Sequence, residues 1–114
     1  DRYFEQTVII ADQRKFVSAL IVPNFAALKE WAESQGIAGL SNEDLCRDKR
    51  VIKFIGERID TLQQDLAHYE RIKRFTLLPQ PFTMENGELT NTLKIKRRTV
   101  YANYAAAIDA MYAE

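Results

Sequence analysis

The sequence predicts an α+β domain: a small, mainly antiparallel three-stranded sheet covered by helices, with a short hairpin before the C-terminal helix. Three observations carry that expectation. Residues 5–11 (EQTVIIA) and 16–22 (FVSALIV) are β-branched, apolar runs of strand length. Residues 48–71 place apolar side chains at intervals of three and four, the spacing of one helix face. The segment from Lys96 onward repeats that spacing to the C-terminus. At 114 residues, 46% apolar and 28% charged, the chain has the size and composition of one globular domain, without the bias of a disordered or fibrous chain.

The first two runs are joined by Asp12-Gln13-Arg14-Lys15, a polar connection of hairpin length, so they pair as adjacent antiparallel strands. Both faces of each run are apolar (Val8 and Ile10 against Ile9; Leu20 and Val22 against Ala19 and Ile21), which requires helices on both sides of the sheet. Pro23-Asn24 ends the second strand, with Asn24 as N-cap of a helix carrying Phe25, Leu28, Trp31 and Ala32 on one face and stopped at Gly36. Its spacing explains Trp31 as a packing residue before any role as a ligand platform. Ser41-Asn42-Glu43-Asp44 resembles a capping box and begins a short helix around Cys46.

Val51, Ile55, Ile59, Leu62, Leu66 and Tyr69 then mark the longest helix, roughly 35 Å at 1.5 Å per residue, packed on the domain's own sheet. His68 lies beside that stripe without a second histidine or nearby cysteine and reads as a surface residue. Residues 72–78 form the third strand, and Pro79 and Pro81 interrupt further pairing. Asn86-Gly87 suits a tight turn and predicts a hairpin between residues 82–84 and 89–91. From Lys96 the face Tyr101, Tyr104, Ala105, Ile108, Met111 and Tyr112 gives an amphipathic closing helix, its tyrosines core candidates first.

Composition excludes several functional classes. Lys plus Arg and Asp plus Glu are 16 each, so the formal net charge is zero and the field of a dedicated nucleic-acid binder is lacking. Cys46 is the only cysteine, which excludes an intrachain disulfide and leaves a Cys/His metal cluster only His68 as companion. A reducing, cytoplasmic setting is expected, and no apolar run approaches the roughly 20 residues needed to span a bilayer. The start at Asp1, entering a strand almost at once, suggests a piece of a longer protein.

Charge is nevertheless uneven. Residues 71–114 carry seven basic and four acidic side chains, a local excess of +3, leaving −3 for residues 1–70. The excess is concentrated in residues 87–98 (GELTNTLKIKRR), where Lys94, Lys96, Arg97 and Arg98 crowd an expected helix start. Cations there oppose the partial positive charge of the unpaired N–H groups, at a few tenths of a kcal/mol to roughly 1 kcal/mol each. The nearest acid, Glu88, lies six residues before Lys94. Three readings stand: a solvated basic face, contacts to nucleic-acid phosphates, or one lysine set against a small anionic reaction centre. The second is poorly supported, since aromatics do not alternate with the cations. A Thr-containing loop leading to a lysine just ahead of a helix favours the third, because it puts an ammonium and backbone N–H groups on one surface.

The run PFTMENGELTNTLKIKRRTV, preceded by VIIADQRKFVSALIVPN, resembles the C-terminal domain of AMP-forming acyl-CoA synthetases, specifically the long-chain fatty acid CoA ligase branch of the adenylate-forming superfamily. The resemblance covers essentially the whole chain, residues 1–114, as a single lid domain, and its most specific element is ENGxLTxTLKxKRR. It implies a full enzyme that activates a fatty acid with ATP to acyl-AMP and transfers the acyl group to CoA. Lys94 then maps to the lysine of adenylation, with Lys96 the competing assignment. Thr90, Thr92 and Lys96 are implied contacts to ATP or CoA phosphates. Thr92-Leu93 stands where the wider superfamily has Ser-Gly, and Asn91 where proline is frequent.

The resemblance further implies that Mg2+ and most ATP contacts come from a large N-terminal domain that is the lid's own partner. No metal ligands and no nucleic acid are expected here, and any membrane contact belongs to the full enzyme. The chain alone is expected to be inactive. Two alternatives remain: a small α/β interaction module whose basic edge binds an acidic partner, and the lid of an aryl-CoA ligase or peptide-synthetase adenylation domain. The TLKIKRR form argues against the latter.

Overall fold

The computed structural model describes every residue except Asp12, Gln13 and Glu114. Its centre is a three-stranded sheet in the order β1 (Phe4–Ile10), β2 (Val17–Pro23), β3 (Ile72–Leu77). β1 and β2 pair antiparallel, with Val8 opposite Leu20 and Ile9 opposite Ala19, as the two apolar runs predict. Half of their expected connection, Asp12 and Gln13, lies outside the described residues.

The α+β class and the three strands stand, but β3 runs parallel to β2, pairing Ala19 with Phe75 and Ile21 with Leu77, so the sheet is mixed rather than mainly antiparallel. The cause is the connection. Between β2 and β3 the chain forms three helices, and a helical crossover returns the next strand in the same direction.

Those helices cover one face: α1 (Phe25–Ser34), α2 (Asn42–Arg47) and α3 (Lys49–Leu62). Their N-caps follow the sequence. Asn24 accepts from the Ala27 N–H (3.3 Å), and Ser41 from that of Asp44 (3.1 Å). Asp48 caps α3 through the N–H groups of Arg50 (2.8 Å) and Val51 (3.4 Å). Ala19, Ile21 and Leu77 of the sheet pack there with Leu28, Leu45, Val51, Ile55 and Ile59. Trp31 is half-buried and stacks on Phe54 at 4.0 Å and 12°, a packing role.

Two expectations change in this layer. α3 has 14 residues, roughly 21 Å long at 1.5 Å per residue, and stops before Leu66 and Tyr69, which are exposed. Its end is set by Gln63, whose buried side-chain amide accepts from the Ile72 N–H (2.8 Å) and donates to the Ile72 carbonyl (3.1 Å). That amide joins the start of β3, and Arg71 donates to the carbonyls of Leu66 and Gln64, so the chain leaves the helical path. His68 is exposed in a 3-10 turn, 3.1 Å from the Lys73 ammonium.

The opposite face is covered by α4 (Arg97–Asn103) and α5 (Ala105–Tyr112), two helices where one was expected, separated at Tyr104, whose ring packs edge-on against Phe82. Val8, Ile10, Leu20 and Val22 meet Phe82, Val100, Ile108 and Met111 there. Tyr112, half-buried, stacks on Phe16 and packs against this core, and its hydroxyl accepts from Ser18 (2.9 Å) and donates to the Phe16 carbonyl (2.7 Å). Ala105 is exposed, outside that face.

The Asp48 cap carries a pH signature. The side-chain hydrogen bond from Arg50 is the largest influence on its carboxyl, joined by the backbone N–H groups of Arg50 and Val51, and together they lower it from 3.8 to about 2 against a smaller burial effect. Asp48→Ala should cost about 1 kcal/mol, the usual worth of an N-cap. Because the folded carboxyl titrates below the unfolded one, this contribution is present above pH 3.8 and lost as pH falls towards about 2. Thermal unfolding of parent and variant should differ at pH 6 and converge at the acid end.

Candidate functional site

Between β3 and α4 the chain crosses from one sheet edge to the other face, and its polar atoms fix the route. Gln6 of β1 holds Phe82 at both backbone atoms, accepting from its N–H (2.7 Å) and donating to its carbonyl (3.3 Å). A turn then brings the Gly87 N–H to Met84 and the N–H groups of Glu88 and Leu89 to the Thr83 carbonyl. Gly87 has φ +74, which suits a glycine.

The hairpin before the C-terminal helix exists, but its pairing differs from the one expected between residues 82–84 and 89–91. Leu89 bridges Ile95 in antiparallel fashion, and the Lys96 N–H donates to the Glu88 carbonyl (2.8 Å). The closing loop is therefore Asn91-Thr92-Leu93. Asn86-Gly87 forms only a turn, because both following N–H groups converge on one Thr83 carbonyl instead of running a ladder.

That loop is clasped from inside. The Thr90 N–H donates to the Lys94 carbonyl (2.8 Å), the Leu93 N–H to the Thr90 carbonyl (2.9 Å) and the Lys94 N–H to Thr90 Oγ1 (3.1 Å). Thr92 Oγ1 lies 3.0 Å from Thr90 Oγ1. A three-residue hairpin loop usually ends in a left-handed residue, most often glycine. Here that residue is Leu93, with φ +64, and it is the only non-glycine with positive φ among the described residues. Holding a leucine there costs roughly 1 kcal/mol relative to glycine.

The cations separate. Lys94 is exposed on the last residue of the clasp, and its ammonium has no hydrogen-bond or ion-pair partner among the described residues. It sits in the hairpin, two residues before the α4 N-cap, which is Lys96. Arg97 and Arg98 occupy the first turn of α4. Arg97 is anchored, donating to the Ile9 carbonyl (2.7 Å) and to the Tyr101 hydroxyl (3.2 Å). Of the four predicted site residues, Thr92 lies in the closing loop, Thr90 and Lys94 flank it, and Lys96 follows as the α4 N-cap.

Glu88 does not approach these cations. Its side chain is 2% exposed, turned inward, and Oε2 accepts from Asn103 of α4 (3.2 Å). Burial, then the Glu88 charge, pushes the Tyr104 phenol upward. Sequence reasoning noted Glu88 only as a distant acid and missed its inward turn. Leu93 was missed as a strained position, although a leucine at the end of a three-residue hairpin loop is the signal that could have found it. Cys46 is no candidate: burial, then the nearby Glu43, pushes its thiol to about 11 against Arg47's opposite pull, so it is almost wholly protonated near neutrality.

No set of three or more His, Cys, Asp or Glu side chains among the described residues could hold a metal ion. The loop offers ammonium and hydroxyl groups, which suit phosphate or carboxylate oxygens and do not suit Mg2+. No helix among the described residues is long and apolar enough to cross a membrane.

The family model described as AMP-binding enzyme C-terminal domain matches residues 1–114. The chain belongs to this family. A peroxisomal long-chain acyl-CoA synthetase of Arabidopsis thaliana is 40% identical across 99% of the chain, and a long-chain-fatty-acid–CoA ligase of Mycobacterium tuberculosis is 35% identical across 94%. The chain spans only 17% and 18% of those two proteins. Among solved structures, the adenylation domain of a carboxylate reductase from Mycobacterium chelonae superposes with a TM-score of 0.75 at 23% identity, covering 98% of this chain and 16% of that one. That likeness concerns the fold. In this AMP-binding C-terminal domain the closing hairpin leaves Asn91, Thr92, Leu93 and Lys94 exposed.

The clasp predicts a local effect. Thr90→Val keeps the side-chain shape but removes Oγ1, and with it one bond to the Lys94 N–H, worth about 1 kcal/mol. Hydrogen exchange at the Lys94 amide should quicken about fivefold, while the global unfolding midpoint stays nearly unchanged.

Proposed function

We propose that this chain is the lid of a long-chain fatty acid CoA ligase and that Lys94 supplies the ammonium for adenylation. One observation supports this above the rest: Lys94 is exposed and unpartnered among the described residues, on a hairpin clasped by Thr90, in a chain matching the AMP-binding C-terminal family along its length.

In the proposed reaction a fatty acid carboxylate oxygen attacks the α-phosphorus of ATP, and the bond to pyrophosphate breaks, giving acyl-AMP. The thiol sulfur of CoA then attacks the acyl carbon, and the bond to AMP breaks. The first step brings two anions together. An ammonium set between the carboxylate and the α-phosphate oxygens lowers their repulsion and stabilises the charge that develops. Lysine suits this task as a compact charge on a flexible stem. Its backbone is fixed by the Thr90 clasp, so only the side chain needs ordering when the anions arrive. Thr90, Thr92 and Lys96 are assigned to phosphate oxygens of ATP or CoA.

The ATP phosphate loop, the acyl pocket and the Mg2+ ligands are assigned to a larger partner domain of the same protein, since the residues here do not suit a metal. Between the half-reactions the lid reorients, and Lys94 withdraws. The lone Cys46 supports a reducing compartment, which we take as the cytoplasm.

In the full-length ligase, Lys94→Ala should slow adenylation, read as fatty-acid-dependent exchange of pyrophosphate into ATP, by about 10²–10³-fold. Thioester formation from supplied acyl-AMP should change far less, and Lys96→Ala should have the smaller effect on adenylation. Near-normal exchange in Lys94→Ala with loss in Lys96→Ala would reverse the assignment. The isolated chain, incubated with ATP, palmitate and CoA, should form no acyl-CoA, and measurable product would overturn the lid reading.

A further inference from the structure

Leu93 is a leucine where the hairpin geometry calls for glycine. Its φ is +64 in the last position of the three-residue loop, and its side chain is 66% exposed. The strain is not offset inside this domain, because Leu93 belongs to neither hydrophobic core. Nor is its side chain needed for the clasp, which runs through the Thr90 hydroxyl and the backbone atoms of Thr90, Leu93 and Lys94. Glycine would serve every contact seen here. The neighbour of this unused apolar group is Lys94, whose ammonium acts most strongly where water is excluded.

We propose that Leu93 is the apolar seal of the adenylation site: in the closed enzyme it packs on an apolar wall of the larger domain beside the reacting carboxylate and keeps water from Lys94 and from the acyl-adenylate. This rests on the adenylation reading of Lys94. Leu93 is exposed and directly precedes Lys94 on the same hairpin, so one docking motion delivers charge and cover together. Without the seal, water reaches the acyl-adenylate while the lid is still in its adenylation position, before it reorients for CoA. The water oxygen attacks the acyl carbon, the bond to AMP breaks, and the fatty acid and AMP are released, with the proton passing to solvent.

The test uses the full-length ligase carrying Leu93→Gly, Leu93→Met or Lys94→Ala, with three measurements: thermal unfolding, pyrophosphate exchange, and AMP formed per acyl-CoA formed. Leu93→Gly should be at least as stable as the parent, because glycine relieves the left-handed strain. Its exchange rate should fall roughly tenfold, the equilibrium factor for burying a leucine side chain. AMP should exceed acyl-CoA, and Leu93→Met should restore both values most of the way. A purely structural leucine gives the opposite pattern: a less stable glycine variant with tight coupling. A Leu93→Gly enzyme with parental rate and one AMP per acyl-CoA overturns the seal even if Lys94→Ala is inactive. If Lys94→Ala keeps its exchange rate, the lysine reading falls instead, and the AMP to acyl-CoA ratio of Leu93→Gly alone then decides the seal: a ratio above the parent's upholds it, and an unchanged ratio overturns it.

Discussion

The structure depends on β2 being buried on both faces. Ser18 through Pro23 are all buried, with Ala19 and Ile21 turned into one core and Leu20 and Val22 into the other. A strand apolar on both sides cannot be covered by one layer of helices. The chain meets this demand in sequence order, with α1 to α3 before β3 and α4 and α5 after it. The segment between β3 and α4 therefore has to pass from one side of the sheet to the other. The candidate site lies on that passage. Its two ends are pinned to β1, at Gln6 through Phe82 and at Ile9 through Arg97, so the sheet fixes where the lysine hairpin stands.

What could be read from the sequence was whatever periodic burial or a local cap determines. The two apolar runs gave β1 and β2, and their two-sided pattern required the two helical layers. Asn24 and Ser41 marked helix starts because a cap is a contact between residues three apart. The features that escaped are set by single polar side chains reaching across the fold. α3 ends where Gln63 binds the backbone of Ile72, nine residues on, and nothing in the apolar spacing of Leu62, Leu66 and Tyr69 signals that. The direction of β3 was in principle legible, since a strand after a helical crossover runs parallel. The hairpin register was harder. Asn86-Gly87 is a strong turn signal, and it does make a turn, but the ladder forms one step later, where Leu93 tolerates a conformation its side chain disfavours.

The cationic cluster of the candidate site was legible in outline for a different reason. Four cations before and within the first turn of a helix are an electrostatic cost visible without coordinates. Only the geometry divides them: Lys96 is the N-cap of α4, Arg97 and Arg98 lie in its first turn, and Lys94 stands outside the helix. The cost for Arg97 is offset by the carbonyl of Ile9, which accepts its guanidinium N–H.

Glu88 explains how a lysine can be both fixed in place and free in charge. An ammonium can be positioned by a neighbouring carboxylate, but an anion arriving later must then displace that carboxylate, and the pair energy is lost from any stabilisation the ammonium gives. Glu88, the nearest acid in sequence, is instead buried and bonded to Asn103, while its backbone carbonyl receives the Lys96 N–H and so closes the base of the hairpin. The loop above is held by bonds between N–H groups, carbonyls and the Thr90 and Thr92 hydroxyls, all uncharged. Position is thus set by neutral hydrogen bonds and charge is left uncompensated, the separation that an electrostatic role for Lys94 requires.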